Sequence, residues 1–196
     1  MILGAMAQRS QSIRFDASLV RIGQSNIALL PASVSAKLPS RGQVAVRGSV
    51  NGAPFETVLE PDGRSDHWMK VEDRLKRAAS LRVGESASFE LEVAERWPEP
   101  RVPGDLAAAL DEAPHAVREL WPAITPMARW EWVRWVNATR DPDTRRRRVD
   151  VMISKLERGK RRPCCFNLSS CTDPELSKRG VLITPAPSSV PGPAAR

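Results

Sequence analysis

The chain has 196 residues, with 30 Lys and Arg against 23 Asp and Glu, for a formal net charge of +7. Its composition, 41% hydrophobic and 27% charged, is that of a globular protein with length for one large domain or two small ones. No run of about 18 apolar residues occurs, which excludes a membrane-spanning helix. No basic region precedes the short apolar patch in MILGAMAQRS, which makes that stretch a poor signal peptide. Residues 1–11 read as a ragged terminus with Met6 as an alternative start, and the cytoplasm is the expected location.

The charge is unevenly placed. Residues 1–100 carry 13 basic and 12 acidic side chains, and residues 101–196 carry 17 and 11. The positive field belongs to the second half and points to an anionic partner, whether protein, lipid or nucleic acid. Cys164, Cys165 and Cys171 are too few and wrongly spaced for a disulfide framework or a zinc site. They read as incidental thiols, and neither metal nor cofactor is expected.

In chain order, the first half reads as β structure. SIRFDASLVRI (12–22) alternates apolar and polar residues, and NIALLP (26–31) follows as a short run. QVAVRGSV (43–50) and PFETVLE (54–60) flank Asn51-Gly52, the strongest short hairpin signal. HWMKV (67–71) is a fifth strand, EDRLKRAASL (72–81) a short helix, and ESASFELEV (85–93) a sixth strand. Strands apolar on one side need a shared interior, and closure removes their edges. The expected fold is α+β: a small six-stranded β-barrel over 12–97, then a C-terminal helical domain.

The Pro-rich stretch over 98–103 is the linker, and 104–162 the basic helical domain. Helices are predicted over 104–113, 115–121, 126–138 and 141–159; the last has Asp141 as N-cap, Pro142 at N1 and Gly159 past its end. Residues 163–196 hold the cysteines and a Pro-, Ala- and Ser-rich tail, disordered from 181 on compositional grounds.

Four arginines stand side by side in DTRRRRVDV (143–151). At about 100° per residue, Val149, Met152, Ile153 and Leu156 define one helix face, and Arg145 falls on it. Arg146 and Arg148 flank that face, while Arg147 points away. A groove binder wants its charges on one side, and this run scatters them. Arg145 on an apolar face requires a carboxylate, carbonyls or a bound anion: an ion pair to the barrel or a neighbouring helix, or an anion site. A second group, Arg158, Lys160, Arg161 and Arg162, lies at a helix C-terminus, where cations are favoured; it reads as a solvated end or as a phosphate-contacting patch.

Trp130, Trp132 and Trp135, beside Arg129 and Arg134, offer stacking surfaces for bases. Their helix is apolar around most of its circumference, which favours core packing. His67 sits beside Asp66 in GRSDHW (63–68), but neighbours on an extended segment face opposite ways and make no triad. No nucleophile elbow, phosphate loop or dinucleotide fingerprint occurs, so no catalytic residue is assigned. Gly63, His67 and Trp68 are candidates for a ligand at the barrel mouth.

VRGSVNGAPFETVLEPDGRSDHWMKVEDRLKRAASLRVGES (46–86) resembles the bacterial domain of unknown function 1905 over roughly residues 12–97: strand, Asn-Gly hairpin, Pro-x-Gly turn, strand, short basic helix, then Val-Gly-Glu. It departs at Asp66, where many relatives carry Gly. The resemblance implies a small β-barrel. Residues 104–162 resemble the bacteriocin-protection family, also called YdeI or OmpD-associated. The resemblance is carried by Trp135, Ala138, Thr144-Arg145-x-Arg147-Arg148-Val149, Leu156, Gly159 and RRPCCFN. It implies a part in bacteriocin resistance or porin association, and no catalytic residue or cofactor. The reading is a non-enzymatic binding protein, expected from the resemblance to support envelope or antimicrobial-peptide stress tolerance, that makes contact through Arg145, Arg147, Arg148, Arg161 and Arg162. The alternatives are a nucleic-acid binder using that basic surface and a small-ligand binder or enzyme at the barrel mouth.

Overall fold

The computed structural model describes residues 12–163 and 173–183. Six strands, β1 (Ile13–Ile22), β2 (Ser25–Leu29), β3 (Val44–Val50), β4 (Ala53–Pro61), β5 (His67–Lys70) and β6 (Ser86–Val93), close into an antiparallel barrel in the order β1-β2-β5-β4-β3-β6. Alternation does what it predicts. Along β1, Ile13, Phe15, Ala17 and Leu19 are buried while Arg14, Asp16 and Ser18 are exposed. Phe15 and Phe89 are directly paired across β1 and β6, and their rings stack at 5.3 Å.

Asn51 and Gly52 have φ of 47° and 83°, the two positive values that a two-residue hairpin needs. Gly48 serves closure instead: a Cβ there would lie 2.0 Å from the Glu90 carbonyl oxygen. Two short helices, α1 (Ala32–Ser35) and α2 (Asp73–Ala78), sit between strands. The short run over 26–31 supplies most of β2. It gives way at Pro31 to α1, where Ser35 is buried and its hydroxyl accepts a bond from the His67 backbone N–H.

The second half holds α3 (Gly104–Asp111), α4 (His115–Ala123), α5 (Pro126–Asn137) and α6 (Pro142–Glu157). Helices α5 and α6 start as their sequences require: Pro at N1, Thr125 accepting from Ala128 N at 3.2 Å, and Asp141 accepting from Thr144 N at 2.7 Å. Leu106, Val117, Trp132, Val136, Met152 and Leu156 form their common core.

The C-terminal reading needs correction. Val181–Leu182 was assigned to a disordered tail but forms a strand, β8, paired with β7 (Ser177–Lys178). Leu182 N donates to Asp62 O at 2.9 Å. Leu176 and Leu182 cover Ile22, Ile27 and Trp68 on the outer barrel surface. A few apolar residues decide this placement, and the bulk Pro and Ser content hides them. Cys164, Cys165, Cys171 and residues 184–196 lie outside the described residues.

A cleft between the barrel and helix α5

Strand β4 turns Leu59 into the barrel and Val58 and Glu60 outward. Helix α5 presents Trp130, Val133 and Arg134 to that face. Between them lies a cavity of about 230 Å³, completed by Trp68, Lys70 and Arg101. Arg134 Nη2 lies 2.7 Å from Glu60 Oε2, with the two side chains 7% and 13% exposed. Gln43 Nε2 donates to Glu60 Oε1 at 2.8 Å. Burial pushes the Glu60 carboxyl above the ordinary glutamate range, and the Arg134 charge and the Gln43 bond offset part of that rise. Such a pair is strained by desolvation; an apolar pair of similar volume would hold two surfaces together at least as well.

The five arginines expected to meet a partner have different fates. Arg145 donates from Nε and Nη2 to Asp105 at 2.6 and 2.9 Å, and from Nη1 to Asn137 Oδ1 at 2.9 Å, tying α6 to α3 and α5. This fork holds the Asp105 carboxyl below its usual range. Arg148 donates to the Trp135 carbonyl at 2.6 Å and lies 5.3 Å from the centre of that ring. Arg162 pairs with Glu131, which is 3% exposed, through an Nε bond of 2.6 Å. Arg147 and Arg161 are exposed. Arg147 lies in the second turn of α6 and Arg161 beyond its C-terminal end. The Arg161 carbonyl accepts a bond from Trp132 Nε1 at 3.1 Å, and Trp132 is fully buried.

The barrel-mouth candidates are also differently placed. Gly63 (φ 78°) lies beneath the β7–β8 turn, where a Cβ would meet Gly180 O at 2.4 Å. His67 is buried and its Nε2 bonds the Gly42 carbonyl at 2.9 Å. Trp68 points out of the barrel, donates to Pro61 O at 3.2 Å, and lines the cleft. Sequence reasoning brought forward none of Glu60, Glu131 or the Arg134 pairing. The signal was there: a charge on a helix apolar nearly all round demands a partner, and Glu131 and Arg134 are two such charges.

Among the described residues, no group of three or more His, Cys, Asp or Glu is placed to hold a metal ion, and no helix is long and apolar enough to cross a membrane. The architecture is a small closed barrel followed by helices, with a cleft of mixed polar and apolar lining between the barrel and α5. Residues 15–91 match the family model of the domain of unknown function DUF1905, and residues 99–159 match the family described as bacteriocin-protection, YdeI or OmpD-associated. The two matches follow one another along the chain, the first over the closed barrel and the second over the helices. No curated protein matches the chain.

Proposed function

We propose that this is a binding protein that supports bacteriocin or antimicrobial-peptide tolerance, and that it works by holding a small polar ligand in the cleft between the barrel and α5. The family description of residues 99–159 supports the biological setting. The carrying observation is the Glu60–Arg134 pair in a cleft wall beside Trp68 and Trp130. Paired charges flanked by aromatic surface orient a polar ligand while shielding it from water. Arg145, Arg148 and Arg162 are engaged internally, which favours the cleft over a basic outer surface as the working site.

The test has two readouts. Native mass spectrometry of purified protein is expected to show a bound small molecule that is absent from Trp130→Ala, with circular dichroism checking that the variant is folded. A deletion strain is expected to lose bacteriocin tolerance and to recover it with the wild-type gene but not with Trp130→Ala. Full rescue by the variant would overturn the cleft as the working site.

A further inference from the structure

A second, larger groove of about 910 Å³ adjoins the cleft and shares Lys70, Glu72, Arg101 and Asp173 with it. Its walls come from β2, β5, α2, the approach to α6, and the segment before β7. Most of its charges are already answered. Glu72 lies 3.6 Å from Arg101, Asp173 and Glu175 hold Arg140, and Asp73 accepts from Asn26 Nδ2 at 3.4 Å. Lys70, Arg74 and Arg77 remain; among the described residues, no carboxylate pairs with any of them. Asn26 supplies an independent sign. It is 6% exposed, lines this groove, and its Oδ1 has no hydrogen-bond partner. A buried amide oxygen without a donor costs about 1–3 kcal/mol, and a donor on a bound molecule would remove that cost.

The two observations select a chemistry. Three unanswered cations match a phosphomonoester, with nearly two negative charges at neutral pH, better than a single carboxylate. The buried, unpartnered acceptor at Asn26 asks for a hydroxyl close to that phosphate, which the amide meets by turning towards the groove. We propose that this groove takes a small phosphorylated polyol or sugar, its phosphate against Lys70, Arg74 and Arg77 and a neighbouring hydroxyl donating to Asn26 Oδ1. The proposal rests on the reading that the cleft holds a ligand, and it assigns the anionic end of that ligand to the groove.

The experiment is calorimetric titration of the full chain with glycerol 3-phosphate, ribose 5-phosphate, inorganic phosphate and glycerol. Either phosphate ester is expected to bind at least tenfold tighter than inorganic phosphate, and glycerol not at all. Arg74→Ala/Arg77→Ala changes two exposed side chains, so it keeps the fold; it is expected to weaken ester binding at least tenfold. Arg146→Ala/Arg147→Ala removes the same charge from α6 and is expected to leave binding unchanged. Asn26→Ala is expected to erase the preference for ester over inorganic phosphate. Absence of ester binding, or equal loss in the two double-arginine variants, would overturn the proposal. A co-purified ligand lost from Trp130→Ala would then still uphold the cleft, whereas its absence as well would remove both readings.

Discussion

Arg162, just past the end of α6, reaches back to Glu131 in the middle of α5 and donates to its Oε2 at 2.6 Å. Glu131 is 3% exposed, Arg162 more than half exposed. The basic run at the end of α6 is therefore partly a buried-carboxylate clamp. Breaking such a pair strands a charge, and the exposure of Arg162 reduces the loss, giving about 2 kcal/mol. Urea unfolding of Arg162→Ala is expected to show that loss, with Arg161→Ala within about 0.5 kcal/mol of wild type. Equal effects of the two would refute the clamp.

Glu60 gives a pH dependence of definite sign. Its folded-state carboxyl is raised by burial, so the folded protein holds this proton more tightly than the unfolded chain. Its contribution to stability is complete below the ordinary glutamate value and is lost as pH rises through the raised folded value. Glu60→Gln has no such titration. Wild type and variant should therefore be alike in mild acid, with the variant gaining relative stability towards neutral pH. Denaturation curves from pH 4.5 to pH 8 check this, and a gap that narrows with rising pH would contradict it.

Asp105 gives the opposite sign. Arg145 lowers its carboxyl, so the stabilisation is present above the ordinary aspartate value and fades as pH falls through the lowered one. Arg145→Ala should shrink the acid-side loss of stability below about pH 4. A double-mutant cycle with Asp105→Asn measures the coupling; a coupling of zero would mean that the fork joining α6 to α3 contributes nothing to stability.

Gly63 and Gly52 separate space from conformation. Both have positive φ, but a Cβ at Gly63 meets Gly180 O at 2.4 Å, whereas one at Gly52 meets nothing within 4 Å. Gly52→Ala should cost about 1 kcal/mol. Gly63→Ala should cost more, about 2–3 kcal/mol, and make the β7–β8 hairpin the first site of proteolysis. Equal costs would show that the hairpin is held loosely.

With three of its arginines committed internally, the basic half should bind nucleic acid poorly. Labelled DNA and RNA are expected to bind more weakly than about 10 μM at physiological salt, with no change in Arg161→Ala. Micromolar binding that falls in that variant would restore the nucleic-acid reading.

The barrel was legible because its inward faces alternate and its turn residues are unambiguous, as β1 and Asn51-Gly52 show. The outer packing was not. Val58, Ile27 and Trp68 are buried on the outside, and a strand covered on both faces loses the alternation that marks it. The helices were legible from Pro and cap residues. The Arg145 contact was legible as a need for an anionic or carbonyl partner, but not its identity, because Asp105 lies 40 residues away in sequence. The cleft was hidden for the same reason: Glu60 and Arg134 belong to different halves, and no local pattern joins them.

The β7–β8 hairpin sets a schedule for folding during synthesis. The outer surface of Ile22 and Ile27 is covered by Leu176 and Leu182, more than a hundred positions later. As the chain leaves the ribosome, the barrel can close on itself early, while this sticky patch stays bare until all the helices have emerged. Throughout that interval the nascent chain is exposed to wrong partners, and chaperone engagement should end only when residue 183 arrives.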